Sequence, residues 1–294
     1  MFYRRKFALA LVQKFGGELD NLKFQKLLFL ATRKQDKKSF DFVPYKFGCF
    51  SFQANQDMIT LVNRNFLSKD NNNWIVKDDD NYFALLNEVD KRIINVVHSK
   101  YSNYSGDELI KETYVNYPFY ASKSTIAKKV LSEDELNKVE KQKRSYDDEM
   151  FFTIGYEGVS LETYLNKLII NDVKVLVDVR KNSISMKYGF SKSQLKNACE
   201  SIGIKFMHIP ELGIESEKRQ ELNSLKDYKK LFDVYKKTTL KANDEYLLKL
   251  KDISYKYKRV AITCFEKEVC MCHRGVVADE LKNKKDWNIK LKHL

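Results

Sequence analysis

The sequence predicts an α/β protein: a mainly α-helical domain carrying a small β-hairpin, then a Rossmann-like domain with a mostly parallel sheet. Three features predict it. Helical patterns dominate residues 1–130, a charged run fills 131–150, and from Phe151 short apolar strand patterns alternate with helical ones.

In the first half, Phe7, Leu9, Leu11, Val12 and Phe15 predict a helix that ends at Gly16-Gly17. Asp20 or Asn21 can cap a second helix containing Leu22, Phe24, Leu27, Leu28 and Leu30. Trp74-Ile-Val76 and Tyr82-Phe-Ala-Leu85 flank the polar loop Lys77–Asn81 and predict a hairpin resembling the wing of a winged helix. Asp70–Asn73 and Asp78–Asp80 read as loops. The run Leu131–Glu149 is nearly all polar or charged and predicts a solvated linker helix, with the domain boundary near Glu149.

Beyond it, Phe151–Gly155, Val173–Val179, Ile204–Ile209, Val260–Cys264 and Asn288–Leu294 read as strands. Leu161–Ile170, Ser191–Cys199 (stopped by Gly203), Tyr228–Leu250 and Gly275–Lys282 read as the helices between them.

The 294 residues suffice for two domains, and 43% hydrophobic content supports real cores. No apolar run approaches bilayer length, and the short stretch Phe7–Val12 lacks a cleavage site, so a cytoplasmic protein off the membrane is expected. Five cysteines without framework spacing point to reduced thiols. The net charge of +13 divides as +4 over residues 1–150 and +9 over 151–294. The excess suits either a polyanionic partner or a lysine-rich solvated surface.

In an open parallel sheet the carboxyl ends of the strands share one edge, where ligands bind. Tyr156 and Glu157 follow the first strand, Asp178 and Arg180 end the second, and His208, Pro210 and Glu211 end the third. Cys264, Glu266, Cys270, Cys272, His273 and Arg274 follow the fourth. Four loops should therefore meet at one pocket. Arg274, just before a helix N-terminus, suits a phosphate or carboxylate; pairing with Asp178 is the structural alternative.

Two family resemblances follow from these residues. Thr153–Gly158, Leu176–Arg180, Tyr188–Lys192, His208–Gly213, Cys264–Glu266 and Cys272–Arg274 resemble, in order, the motifs of the domain-of-unknown-function 488 family over residues 151–294. Ser183 departs from the proline usual after Asp-Val-Arg. The resemblance implies an enzyme-like pocket in DNA-repair or phage-defence settings, without an agreed reaction. Phe24–Leu30 with Asp41–Phe52 resembles Panacea or SocA-like antitoxin-type domains over about residues 5–120, with Cys49 where proline is usual. That implies a protein-binding, neutralising or adaptor role, while the wing-like hairpin leaves nucleic-acid binding as the alternative for residues 1–130.

Four chemistries compete. A cysteine nucleophile would draw on Cys272, but phosphatase loops need Cys and Arg five residues apart, a spacing absent here. A metal site would use Cys270, Cys272 and His273 with Cys264 or His208, yet one Cys-x-Cys-His run with a distant ligand makes a poor closed site, so no metal or cofactor is expected. Hydrolysis at a nucleotide or nucleic-acid base would use Glu266, its pKa raised beside Phe265, with His273 sharing proton transfer; Arg180 and Arg274 would hold phosphate and Tyr156 would stack on a base. A non-catalytic nucleotide or modified-base sensor is the fourth. The hydrolytic reading is preferred. Its catalytic candidates are Glu266, His273, Asp178 and Cys272; Tyr156, Glu157, Arg180, Lys192, His208, Glu211 and Arg274 are the substrate-binding candidates.

Overall fold

The computed structural model describes residues 1–77, 80–219 and 222–294. Asp78 and Asp79 of the expected polar loop lie outside the described residues. The chain divides into two units, residues 1–143 and 144–294, and no helix among the described residues is long and apolar enough to cross a membrane.

The first unit is mainly helical, with two small antiparallel sheets. Helix α1 (Tyr3–Lys14) leads through β1 (Glu18–Asp20) into α2 (Asn21–Thr32). Asp20 caps α2 by accepting from the Lys23 N–H at 3.0 Å, the cap its short polar side chain predicts. A hairpin of β2 (Val43–Tyr45) and β3 (Gly48–Phe50) precedes α3 (Phe52–Asn63). Then come β4 (Leu67–Asp70) and β5 (Asn73–Val76), followed by α4 (Glu88–Tyr101), α5 (Gly106–Asn116), α6 (Ala127–Val130) and α7 (Glu133–Glu140).

The expected wing is present with a different partner. Trp74-Ile-Val76 pairs with Leu67–Asp70, not with Tyr82–Leu85, which forms turns. Asn71 takes φ 49°, and asparagine is one of the few residues that tolerate this. The Asn71-Asn72 pair thus turns the chain within two residues, where a longer loop was expected. With β1 added, the sheet order β1-β5-β4 and the order of α1, α2 and α3 are those of a winged helix. The charged run at 131–149 is helical only over α7, where Ser132 and Glu135 form a capping box and Val139 is buried in a cluster with Ile110 and Tyr114.

The second unit is an α/β layer structure around a five-stranded parallel sheet, ordered β10-β6-β9-β7-β8. Its strands are β6 (Met150–Gly155), β7 (Val175–Asp178), β8 (Lys205–His208), β9 (Arg259–Cys264) and β10 (Lys290–His293). Helices α8 (Leu161–Ile170), α9 (Lys192–Ser201), α10 (Leu225–Tyr235), α11 (Asp244–Tyr257) and α12 (His273–Lys282) connect them. The expected single helix from Tyr228 to Leu250 is two, joined by a π-helical turn at Lys236–Leu240.

Crossovers β6→β7 and β7→β8 run one way along the sheet, while β8→β9 and β9→β10 return. Because such crossovers are right-handed, the two sets of helices lie on opposite faces. On the α11–α12 face, Phe151, Val175, Val177, Val260 and Ile262 pack with Leu250, Ile253, Val277 and Leu281. The intervening residues Phe152, Leu176 and Ala261 are equally buried and, by the two-residue strand period, face the other way. β9 is central, so the loop that follows it lies where the crossovers diverge.

Candidate functional site

Strand register sets the site. Gly155 stands opposite Cys264, and Asp178 stands opposite both Thr263 and His208, so four strands end on one line. Past that line the backbone pairing passes from strand to loop residues. Loop amides take over: the N–H groups of Tyr156 and Glu157 donate to Phe265 O at 3.1 and 2.9 Å, and Val179 N–H to Thr263 O at 3.2 Å. Gly155 permits this crossing, since a Cβ there would sit 1.9 Å from Glu266 O.

Much of the charge at the edge is spent on holding the loops. Asp178 is fully buried, and both its oxygens are engaged by Arg180: Nε donates at 2.9 and 3.1 Å and Nη2 at 2.7 Å. Arg180 also donates from Nη2 to Phe190 O at 2.9 Å and from Nη1 to the Tyr156 hydroxyl at 2.5 Å. Thus Asp178 is a buried counterion, not a free proton carrier, and Arg180 is not free to grip phosphate with its fork. The Tyr156 ring is stacked on Phe190, with centroids 4.2 Å apart at 9°, and meets Phe265 edge-on. Only 3% exposed, it cannot offer a face to a base as expected.

Arg274 also departs from expectation. It neither awaits an anion nor pairs with Asp178. Its Nη1 donates to Glu266 O and its Nη2 to Lys267 O at 2.8 Å, which fixes the loop after β9, and its Nε has no partner among the described residues. The reason is that α12 starts at His273, two residues before the expected start, which turns Arg274 into the buried first turn. Glu157 is exposed and clips the same loop, accepting from Lys267 N–H at 2.9 Å. Glu211 lies outside the pocket; its charge pushes the Tyr246 hydroxyl up.

A cavity of about 290 Å³ remains at the edge, lined by Tyr156, Arg180, Lys181, Asn182, Ile184, Ser185, Met186, Ile214, Arg219, Cys264, Phe265 and His273. Ile184, Met186 and Phe265 are exposed apolar side chains on it. Cys264 and His273 of its wall gather with Cys272, the ligand atoms of all three lying within 4.8 Å of one another. This overturns the objection to a metal: the distant cysteine in sequence is adjacent in space, because β9 and α12 meet here. Cys270, expected among the ligands, is exposed and outside the cluster.

Glu266 borders the cluster. Its Oε2 accepts from the Cys264 thiol at 3.4 Å, and its Oε1 pairs with Arg219. Burial works against its charge, but Arg219, a hydrogen bond from Cys272 and the field of His273 more than offset this and hold the carboxyl below its usual value. The expected raised pKa is therefore wrong in sign: the carboxyl is held toward its charged form, which suits it to begin as a base and not as an acid. Burial pushes the Cys272 thiol well up.

His208 and Lys192 belong to a neighbouring cavity of about 600 Å³, with Lys181, Asn182, Ser183, Ile184, Ser191, Ser193 and Lys196. Lys181, Asn182 and Ile184 line both cavities. His208 Nε2 lies 2.8 Å from Ser183 Oγ and 2.9 Å from Arg180 O; a carbonyl only accepts, so Nε2 carries the proton and the serine in the usual proline position offers it a second acceptor.

Sequence reasoning missed Arg219, Phe265 as a cavity residue, and the Ile184–Met186 rim. Arg219 had no signal, since it lies on a short 3₁₀ turn with no periodicity to place it. Phe265 did have one: an aromatic directly after a buried strand, next to the residues chosen.

No curated protein matches the chain. Residues 160–281, from the start of α8 almost to the end of α12, match the family model described as Domain of unknown function DUF488. This match takes in the cysteine–histidine cluster, Glu266 and Arg219, and it is to that family that the second unit is similar.

Proposed function

We propose that the second unit is a hydrolase acting on a nucleotide or a nucleic-acid base. The observation that carries this reading is the carboxylate of Glu266, held toward its charged form by Arg219 and accepting from the Cys264 thiol, with Arg219 and Cys264 both lining a cavity that has an apolar rim. Phe265, Ile184 and Met186 offer flat and flexible apolar contact to a base. Lys181, Lys192 and Lys196 on the adjoining cavity offer charge to phosphates, consistent with the +9 balance of residues 151–294. Cavity size fits a base with its sugar.

In the reaction Glu266 takes a proton from water as the water oxygen bonds to the electrophilic centre. The bond to the leaving nitrogen or oxygen then breaks, and the leaving group departs with the proton returned from Glu266. A setting in DNA repair or phage defence, which the family resemblance implies, is part of this proposal.

The first unit is read as a protein-binding adaptor. Helix α3, which would be the recognition helix of a winged helix, contains no lysine or arginine and so lacks the charge that phosphate contact requires.

Glu266→Gln in the full chain, assayed against nucleosides, nucleotides and short oligonucleotides, should lower turnover about 10²- to 10⁴-fold and leave ligand binding intact. Undiminished turnover would remove Glu266 as the base. Binding without turnover in the unaltered protein would favour a nucleotide sensor.

A further inference from the structure

We propose that Cys264, Cys272 and His273 bind a zinc-class divalent metal ion with an open fourth position facing the cavity. Cys264 ends β9, Cys272 is the N-cap residue of α12 and His273 its first helical residue. The non-helical backbone of Cys272 (φ −130°, ψ 133°) lets two neighbouring side chains turn toward one point.

Histidine geometry fits a ligand. Nε2 lies 3.0 Å from Val179 O, and a carbonyl only accepts, so the proton sits on Nε2. Nδ1 therefore presents a lone pair, and it lies 3.6 Å from Cys264 Sγ. Zinc–sulfur and zinc–nitrogen bonds of about 2.3 and 2.0–2.1 Å at a tetrahedral angle put the two donors about 3.5–3.6 Å apart, so the observed spacing already matches. A backbone carbonyl on the far ring nitrogen is also the usual way a ligating histidine is oriented.

Charge balance points the same way. Two thiolates and Glu266 carry three negative charges; a divalent ion and Arg219 carry three positive ones, leaving the buried cluster neutral. Two sulfurs and an imidazole select a borderline-soft ion over magnesium or calcium. On binding, each thiol gives its proton to solvent and its sulfur pair to the metal, so two protons leave and nothing is oxidised.

Cys264 and His273 both line the cavity, so the open position faces it, with Glu266 Oε2 beside it. A water bound there would pass a proton to Glu266 and become the nucleophile of the proposed hydrolysis. A Cys-Cys-His set with a non-ligating glutamate serves the same step in zinc-dependent base deaminases. This last part rests on the hydrolytic reading; the metal site does not.

The test uses the reduced full chain, stripped with chelator and titrated with Co²⁺ alone. One equivalent should bind and give thiolate-to-cobalt charge-transfer absorption. Cys272→Ser and His273→Gln should each lose or shift that band, whereas Cys270→Ser and Glu266→Gln should keep it. Circular dichroism of the metal-free variants separates ligand loss from misfolding, and zinc should displace the cobalt. Absence of the band in the reduced protein, or an unchanged band in Cys264→Ser and in Cys272→Ser, would overturn the site. Metal binding without turnover of any nucleotide would remove the hydrolase and leave the metal. Full turnover after chelation would remove the metal's role and leave the hydrolase.

Discussion

Replacing Arg180 with methionine tests whether the strand-end arginine is a lock or a ligand contact. The side chain of Asp178 is fully buried and that of Arg180 is 6% exposed, so their pairing is shielded from solvent. Arg180→Met removes three guanidinium contacts from the carboxylate and, among the described residues, leaves it the backbone N–H of residue 180, at 3.0 Å from Oδ1. Breaking one side of a buried pair costs about 3–5 kcal/mol, because the surviving charge is uncompensated. For a unit of this size, 1 kcal/mol corresponds to about 2–4 °C, so the melting temperature should fall by roughly 6–20 °C. Urea unfolding monitored by hydrogen exchange in β6–β9 peptides isolates this unit from the first. Adding Asp178→Asn should restore a large part of the loss, since a neutral amide needs no countercharge. A loss under about 1 kcal/mol together with abolished ligand binding would refute the lock and return Arg180 to the phosphate site.

Two further outcomes are expected. Gly155→Ala places a methyl group 1.9 Å from Glu266 O, so the loop after β9 must move. It should cost about 1–3 kcal/mol and weaken cobalt binding, and unchanged cobalt affinity would show that the loop is not fixed by this crossing. In the first unit, Lys26 is buried, with Nζ donating to Cys49 O at 3.0 Å, and burial pushes its pKa down. The unfolded chain then holds the lysine proton more tightly than the folded one. Stability should therefore rise with pH between the depressed value and the ordinary lysine value, and fall on acidification through that window. Lys26→Met should flatten this slope, and parallel urea midpoints of the two proteins at neutral and alkaline pH would refute it.

The sheet of the second unit was legible because buried parallel strands write continuous apolar runs, and Leu161–Ile170 was bounded correctly by the apolar spacing between Ser160 and Asn171. In the first unit, the pairing of Trp74–Val76 went wrong because a strand declares its own pattern but not its partner. Asn71, a non-glycine at positive φ, made a two-residue turn inside a run that looked like a longer loop. At the site, the convergence of four loops was legible from topology. The role of each side chain was not, because role depends on where its donors and acceptors go. Cys264 and Cys272 are far apart only along the chain: one ends β9, the other caps α12, and their sulfurs lie within 4.8 Å of each other.

The division between structural and chemical residues follows from where the sheet stops. Beyond the last paired residues, carbonyls of the connecting loops have lost their strand partners and still require donors when buried. Arg274 supplies Glu266 O and Lys267 O, Arg180 supplies Phe190 O, and His273 supplies Val179 O. Cationic side chains at this edge are thus consumed by architecture first, which is why two arginines that look like anion binders in sequence are unavailable to a ligand. Imidazole differs from guanidinium in one respect: after giving its single proton to a carbonyl it retains an unshared pair on the opposite nitrogen. His273 alone among these three donors can hold a loop and serve the cavity at once. The loop bond also aims the free nitrogen at Cys264, so loss of the Val179 contact would loosen the fold edge and misdirect the ligand atom together.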